Sequence, residues 1–208
     1  MEETVDSPKK KKETVNPGIN TKKPLTRAQY NDILLAAQHL DRKKEKGQRY
    51  NTPSGSTIGE HEAVILTLRW TGMHISVLAE PEKYQLRVED DEIRWNRTKK
   101  KEREAYTSIP ISKNITFNLN EFIWELKRRE RKRSRQYFYD LIKRVGKEAK
   151  QPKISQMSFR HTLAVDLLDA GCSDQFVQQT LNCSAEVLKT YGKYSKERKK
   201  SVFERIDW

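Results

Sequence analysis

The spacing of apolar residues changes period twice along this chain, and that limits the folds open to it more than any single residue does. Up to about Leu78, apolar positions recur every three to four residues. Between Tyr84 and Ile111 they alternate with polar ones. From Leu119 to Tyr194 the helical spacing returns. Alternation confined to one short block predicts a mainly α fold with a small three-stranded antiparallel sheet near its middle.

The helical blocks can be placed by their caps. "PLTRAQYNDILLAAQHL" (Pro24 to Leu40) predicts a helix with Thr26 as cap and Tyr30, Ile33, Leu34 and Ala37 on one face. Asp41 to Thr57 is charged and bears Gly, Ser and Pro, which predicts a loop. Glu60 to Trp70 predicts a helix with Val64, Ile65 and Leu68 inward, ending at Gly72, and Ile75 to Leu78 a short one stopped near Pro81. "YQLRV", "EIRWN" and "AYTSIPI" predict the strands, the last two joined by the charged tip "RTKKKERE". Further helices are expected over Leu119 to Arg131, Gln136 to Ala149, Met157 to Gly171, Asp174 to Leu181 and Ser184 to about Tyr194. Met1 to Lys23 lacks periodic apolar residues and predicts a disordered basic tail.

Charge narrows the partner. Lys and Arg number 42 against 29 Asp and Glu, a formal +13 over 208 residues, which suits a polyanion, duplex DNA first. No run is long and apolar enough to span a bilayer, and no signal-peptide pattern opens the chain, so a cytoplasmic, nucleoid-associated protein with no membrane partner is expected. Cys172 and Cys183 are read as reduced. With His39, His61, His74 and His161 they show no zinc spacing, and with 8 glycines there is no phosphate loop. Neither a metal nor a cofactor is expected.

"MSFRHTLAVDLLDAG" (Met157 to Gly171) is the most informative stretch. Phe159, Leu163, Ala164, Leu167 and Leu168 recur at helical spacing, Ser158 is a candidate cap, and Gly171 suits the C′ position. On that reading Arg160 lies in the first turn, where backbone N–H groups already favour an anion and a guanidinium adds a fork matching two phosphate oxygens. A surface arginine paired with a carboxylate is the alternative.

The longer stretch "SFRHTLAVDLLDAGCSDQFVQQTLNCSAEVLKTYGKY" resembles the C-terminal signature of tyrosine-type site-specific DNA recombinases, the phage integrase and Xer family. Its pattern there is H-x-x-R-H-T, a helix ending in Gly, a short helix, L-G-H-S, and a helix bearing a nucleophilic Tyr. Other segments agree in order. "TGMHISVL" (Thr71 to Leu78) resembles T-G-x-R-x-S-E-L, "WNRTKKKEREAYTSIPIS" the β-hairpin carrying the family's lysine, and "YFYDLIKRVGKEA" the helix before H-x-x-R. The resemblance covers about Pro24 to Ser195, leaving residues 196–208 as a C-terminal segment. The family's usual N-terminal helical domain, which clamps the other side of the duplex, is expected to be missing.

The resemblance implies the recombinase catalytic-domain fold and its chemistry. A Tyr hydroxyl attacks a phosphodiester, forming a 3′-phosphotyrosine and freeing a 5′-hydroxyl, without metal. Two arginines and a histidine neutralise charge on the phosphorus, and a lysine protonates the leaving oxygen. Arg160 matches the second arginine and Tyr191 the nucleophile, although Tyr191 also continues the apolar face of Val187 and Leu188; Tyr194 is one turn on. Lys99, four residues past Trp95, matches the hairpin lysine, with Lys100 and Lys101 as rivals and a solvated turn as the alternative.

Three positions depart from the pattern. His74 stands where the family has its first arginine, Met157 where it has the histidine of H-x-x-R, and Cys183 where it has the histidine of L-G-H. His161 points about 100° around the helix from Arg160. Losing one oxyanion-type donor costs roughly 10²–10³ in rate. Histidine cannot form a bidentate fork, methionine donates nothing and a thiol donates weakly. A weakened or degenerate cleavage site is expected, the alternative being an inactive DNA-binding or recombinase-partner module.

Seven of the nine residues in "KRRERKRSR" (Lys127 to Arg135) are basic. Arg128, Arg131, Arg133 and Arg135, with Arg97, Lys100, Lys101 and Arg103 of the hairpin, are the candidate DNA-binding residues; a solvated helix face is the alternative. The final "SVFERIDW" carries Val202, Phe203, Ile206 and Trp208. It is a candidate for exchange between protomers in a dimer or tetramer on DNA, or for packing on its own core.

Overall fold

Helix α1 (Arg27–Lys43) starts at a full capping box. Gln29 N donates to Thr26 Oγ1 at 3.2 Å and Thr26 N to Gln29 Oε1 at 3.0 Å. The computed structural model describes residues 23–43, 49–51, 57–96, 106–111, 117–129 and 132–203. The tail 1–22, the hairpin tip 97–105 and residues 204–208 lie outside the described residues.

α1 runs past its expected end at Leu40 because Asp41 has a structural task. Its buried carboxylate accepts from His61 N (3.1 Å), His61 Nδ1 (2.7 Å) and Glu62 N (2.9 Å), capping α2 (Glu60–Thr71) from a neighbouring helix. Gly59 makes room for it: a Cβ there would lie 2.1 Å from Asp41 Cγ.

The loop expected over Asp41 to Thr57 instead contains an antiparallel hairpin of β1 (Arg49–Asn51) and β2 (Thr57–Gly59). Three-residue strands are too short to show alternation. What holds them is Tyr50, fully buried and edge-on to Phe122 with centroids 5.1 Å apart.

α2 ends as expected at Gly72, whose φ of 57° is the left-handed cap a glycine adopts freely. The short α3 (Ile75–Ala79) follows. β3 (Arg87–Glu89), β4 (Glu92–Asn96) and β5 (Tyr106–Pro110) form the expected three-stranded antiparallel sheet in that order. The β3–β4 turn is Asp90-Asp91, with φ of 52° and 58°, the signature of a two-residue hairpin loop.

α4 (Leu119–Arg128) stops three residues before Arg131, where the backbone turns extended at Arg129. α5 (Arg135–Glu148) is capped by Ser134, which accepts from Tyr137 N. α6 (Gln156–Asp169), α7 (Asp174–Leu181) and α8 (Ala185–Phe203) complete the fold. α8 runs nine residues beyond Tyr194, so Ser195, taken as the domain's end, lies within the helix that carries Tyr191.

Two apolar clusters result. The larger is built from α1 to α5 and the sheet; the smaller joins α6, α7 and α8. α6 serves both. Phe159 enters the larger, while Ala164 and Val165 enter the smaller, so the single apolar face expected for this helix is replaced by burial on two sides. Thr162 fastens it further, accepting from Leu25 N at 2.8 Å and donating to Ser158 O.

Candidate active site

The site grows from the start of α6. Ser155, not Ser158, is its N-cap residue, and Ser158 Oγ accepts from Ser155 N at 3.2 Å. Arg160 is therefore the fifth helical residue, a turn later than expected, because the helix begins three residues earlier than a Ser158 cap requires. The C-terminal expectation holds: Gly171 has φ 86° and follows the C-cap Ala170.

From the second turn Arg160 reaches across to α2, where Nη1 donates to Gly72 O at 2.8 Å. The Gly72 cap thus presents a carbonyl that orients the guanidinium. Gly72 also leaves little room for a side chain, since a Cβ would lie 3.0 Å from a Leu181 methyl and 3.2 Å from a Leu163 methyl. Arg160 is only 8 % exposed, and no described carboxylate pairs with it. Burial works against its charge, which Tyr191 and Cys183 help to hold. A buried cation facing neutral groups attracts an anion.

Tyr191 comes to the same place from α8. It is 1 % exposed, its ring lies 5.2 Å from that of His161, and its buried hydroxyl has no well-formed hydrogen bond. Burial raises the phenol pKa, and the Arg160 guanidinium opposes the rise. Cys183, just past the left-handed Asn182 that ends α7, faces Arg160 too; burial keeps its thiol protonated against the pull of that charge. His74, on the turn before α3, is pushed down to about 4 by burial and by Arg160, so it is neutral at pH 7.

Arg160, Tyr191, Cys183 and His74 therefore converge, and His161 packs on the tyrosine ring. Met157, at the second position of α6, is half-buried. Tyr194 packs against the α6–α8 cluster. Ser195 Oγ donates to Asp169, fastening α8 to α6. Motif reading passed over one further departure: Val77, 1 % exposed, stands where T-G-x-R-x-S-E-L has its glutamate, which was visible in the motif itself.

Much of the basic run is paired internally. Arg129 donates to buried Glu60 at 2.7 Å, and Glu60 also receives Arg133 at 3.5 Å and the Tyr137 hydroxyl at 2.7 Å. Arg128 pairs with Glu125 and lies 4.4 Å over the Trp124 ring; Arg135 pairs with Glu80 and Lys132 with Glu82. Arg97, Lys99, Lys100, Lys101, Arg103 and Arg131 lie outside the described residues. Among the described residues no group of His, Cys, Asp and Glu is arranged to hold a metal, and no helix is long and apolar enough to cross a membrane.

A helical domain with a three-stranded sheet, and a desolvated arginine on one helix facing a tyrosine near the C-terminal end, defines the catalytic domain of the tyrosine recombinases. The model of the phage integrase family matches residues 23–199, and the chain belongs to that family. Among solved structures, the crystal structure of XerA recombinase is similar, with a TM-score of 0.53 and 17 % identity over 89 % of this chain. The chain spans about two thirds of that recombinase, 66 % of its length. A comparison with curated proteins finds no match.

Proposed function

We propose that this chain binds duplex DNA and breaks and rejoins a strand through Tyr191, at a site weakened by the loss of three donors. The observation that carries this reading is the convergence of Arg160 and Tyr191 within one protomer, with no carboxylate among the described residues neutralising the guanidinium. Arg160 grips the scissile phosphate. The Tyr191 oxygen attacks phosphorus as the phenol proton passes to solvent, the bond to the 5′ oxygen breaks, and that oxygen takes a proton from Lys99 of the hairpin. The hairpin residues Arg97, Lys100, Lys101 and Arg103, with Arg128, Arg131, Arg133 and Arg135, track flanking phosphates. The arginines with acidic partners exchange them for phosphate, and each phosphate neutralised steepens the log–log salt dependence by about 0.9.

The weakening has a physical source. Cys183 remains a thiol, Met157 offers no donor, and His74 is uncharged. Protonating His74 at pH 7 from a value near 4 costs about 4 kcal/mol, which the bound phosphate must supply. A nicked suicide substrate tests the reading. A covalent protein–DNA adduct that disappears in Tyr191→Phe supports cleavage; DNA binding without adduct leaves a binding or partner module. His74→Arg restores a charged fork and is expected to raise the adduct rate at least tenfold. Assembly on DNA, as a dimer or tetramer, is assigned to the segment after Lys200; truncation there is expected to lower the mass of the DNA-bound complex in light scattering. Such a protein works at the nucleoid, in the cytoplasm.

A further inference from the structure

α3 begins without a cap from its own N-cap residue. His74 occupies that position with extended backbone, and its side chain makes no capping hydrogen bond. The helix-start donor Ile75 N, which has no intrahelical acceptor, is instead taken by Gln156, the first residue of α6, whose Oε1 lies 2.7 Å away. The bond ties together the two turns that bear His74 and Met157, positions 81 residues apart at the link. Arg160 reaches back from the same helix to Gly72, two residues before His74. The turn from Gly72 to Ile75 is thus held from α6 at both ends, by the arginine at one and the glutamine at the other.

We propose that Gln156 is a positioning residue of this site: its amide oxygen anchors the His74 turn to α6, keeping the imidazole beside Arg160. The residue type fits the task. An amide accepts the Ile75 N–H without bringing negative charge to a phosphate pocket, asparagine is one methylene too short, and methionine has no strong acceptor. The half-buried state of His74 beside Arg160 is what the anchor preserves. The inference rests on the recombinase reading for its catalytic consequence, but not for its geometry.

The test uses the full chain and Gln156→Met. Imidazole titration by NMR is expected to move His74 upward by at least one pH unit as the freed turn admits water, with the unfolding midpoint within about 3 °C of wild type. Adduct formation at saturating suicide DNA is expected to fall at least tenfold, with DNA affinity changed less than twofold. An unmoved His74 titration overturns the anchor. A moved titration with an unchanged adduct rate overturns its catalytic role. Wild-type protein that forms no adduct counts against the recombinase reading, while the titration still decides the anchor. Should Gln156→Met not fold, Gln156→Asn is read by the same criteria.

Discussion

Lowering the pH should destabilise this protein through one histidine, by an amount the site geometry sets. His74 is pushed from its ordinary 6.5 to about 4 by burial and by the Arg160 charge. The folded protein therefore takes up this proton at lower pH than the unfolded chain. Between pH 6.5 and 4 the unfolded state binds more protons, so stability falls as pH falls. Above pH 7 both states are neutral here and the contribution vanishes. At 1.36 kcal/mol per pH unit, the gap between the two values amounts to about 3 kcal/mol, lost in full only below pH 4. That is a large share of the roughly 5–15 kcal/mol expected for a domain. Urea unfolding of wild type and His74→Asn at pH 7, 6, 5 and 4 measures it. The stability difference between the two proteins should shift by about 2 kcal/mol or more toward the variant from pH 7 to pH 4. Asp41 and Glu60, both held below the ordinary carboxylate range, also weaken the fold in acid, but they do so in both proteins and cancel. Parallel acid limbs, agreeing to about 0.5 kcal/mol, would refute the claim that His74 is desolvated beside a cation.

Tyr191→Phe removes a buried hydroxyl that has no well-formed hydrogen bond, so the unfolding midpoint should hold or rise by up to about 3 °C while the adduct is lost; a clear fall in the midpoint would show that the hydroxyl is satisfied. Arg160→Met trades a desolvated cation for an apolar chain of similar reach. Free-protein stability should change by less than about 1 kcal/mol or increase, while the stabilisation conferred by added inorganic phosphate disappears. Asp41→Asn leaves the start of α2 with one good acceptor where it had a carboxylate taking three N–H groups, and a loss of about 2–4 kcal/mol is expected by urea denaturation. Gly59→Ala drives a Cβ into that same carboxylate and should cost about 1–3 kcal/mol; a neutral result would mean that Asp41 can withdraw without loss.

Local signals were legible where one short stretch carried them whole. The Thr26 cap, the Gly72 and Gly171 caps, the three strands and the helix from Asp174 to Leu181 each follow from a few adjacent residues. The ordered motifs placed Arg160 and Tyr191 in one site and exposed the losses at His74, Met157 and Cys183. The β1–β2 hairpin was hidden because strands of three residues are held by Tyr50 packing on Phe122, a partner about seventy positions away. The start of α6 was misjudged because two serines three residues apart both suit a cap, and backbone conformation chooses between them.

Sequence alone determined the fold class, the family pattern and which residues are candidates for the reacting groups, because hydrophobic period and motif order are properties of the chain itself. Tertiary structure decided the setting of those groups: that Arg160 is desolvated with no carboxylate partner among the described residues, that His74 is neutral, that Gln156 holds the His74 turn, and that much of the basic run is already bound to carboxylates. Charge state and pairing depend on what surrounds a side chain in space, and those neighbours come from segments tens of residues away.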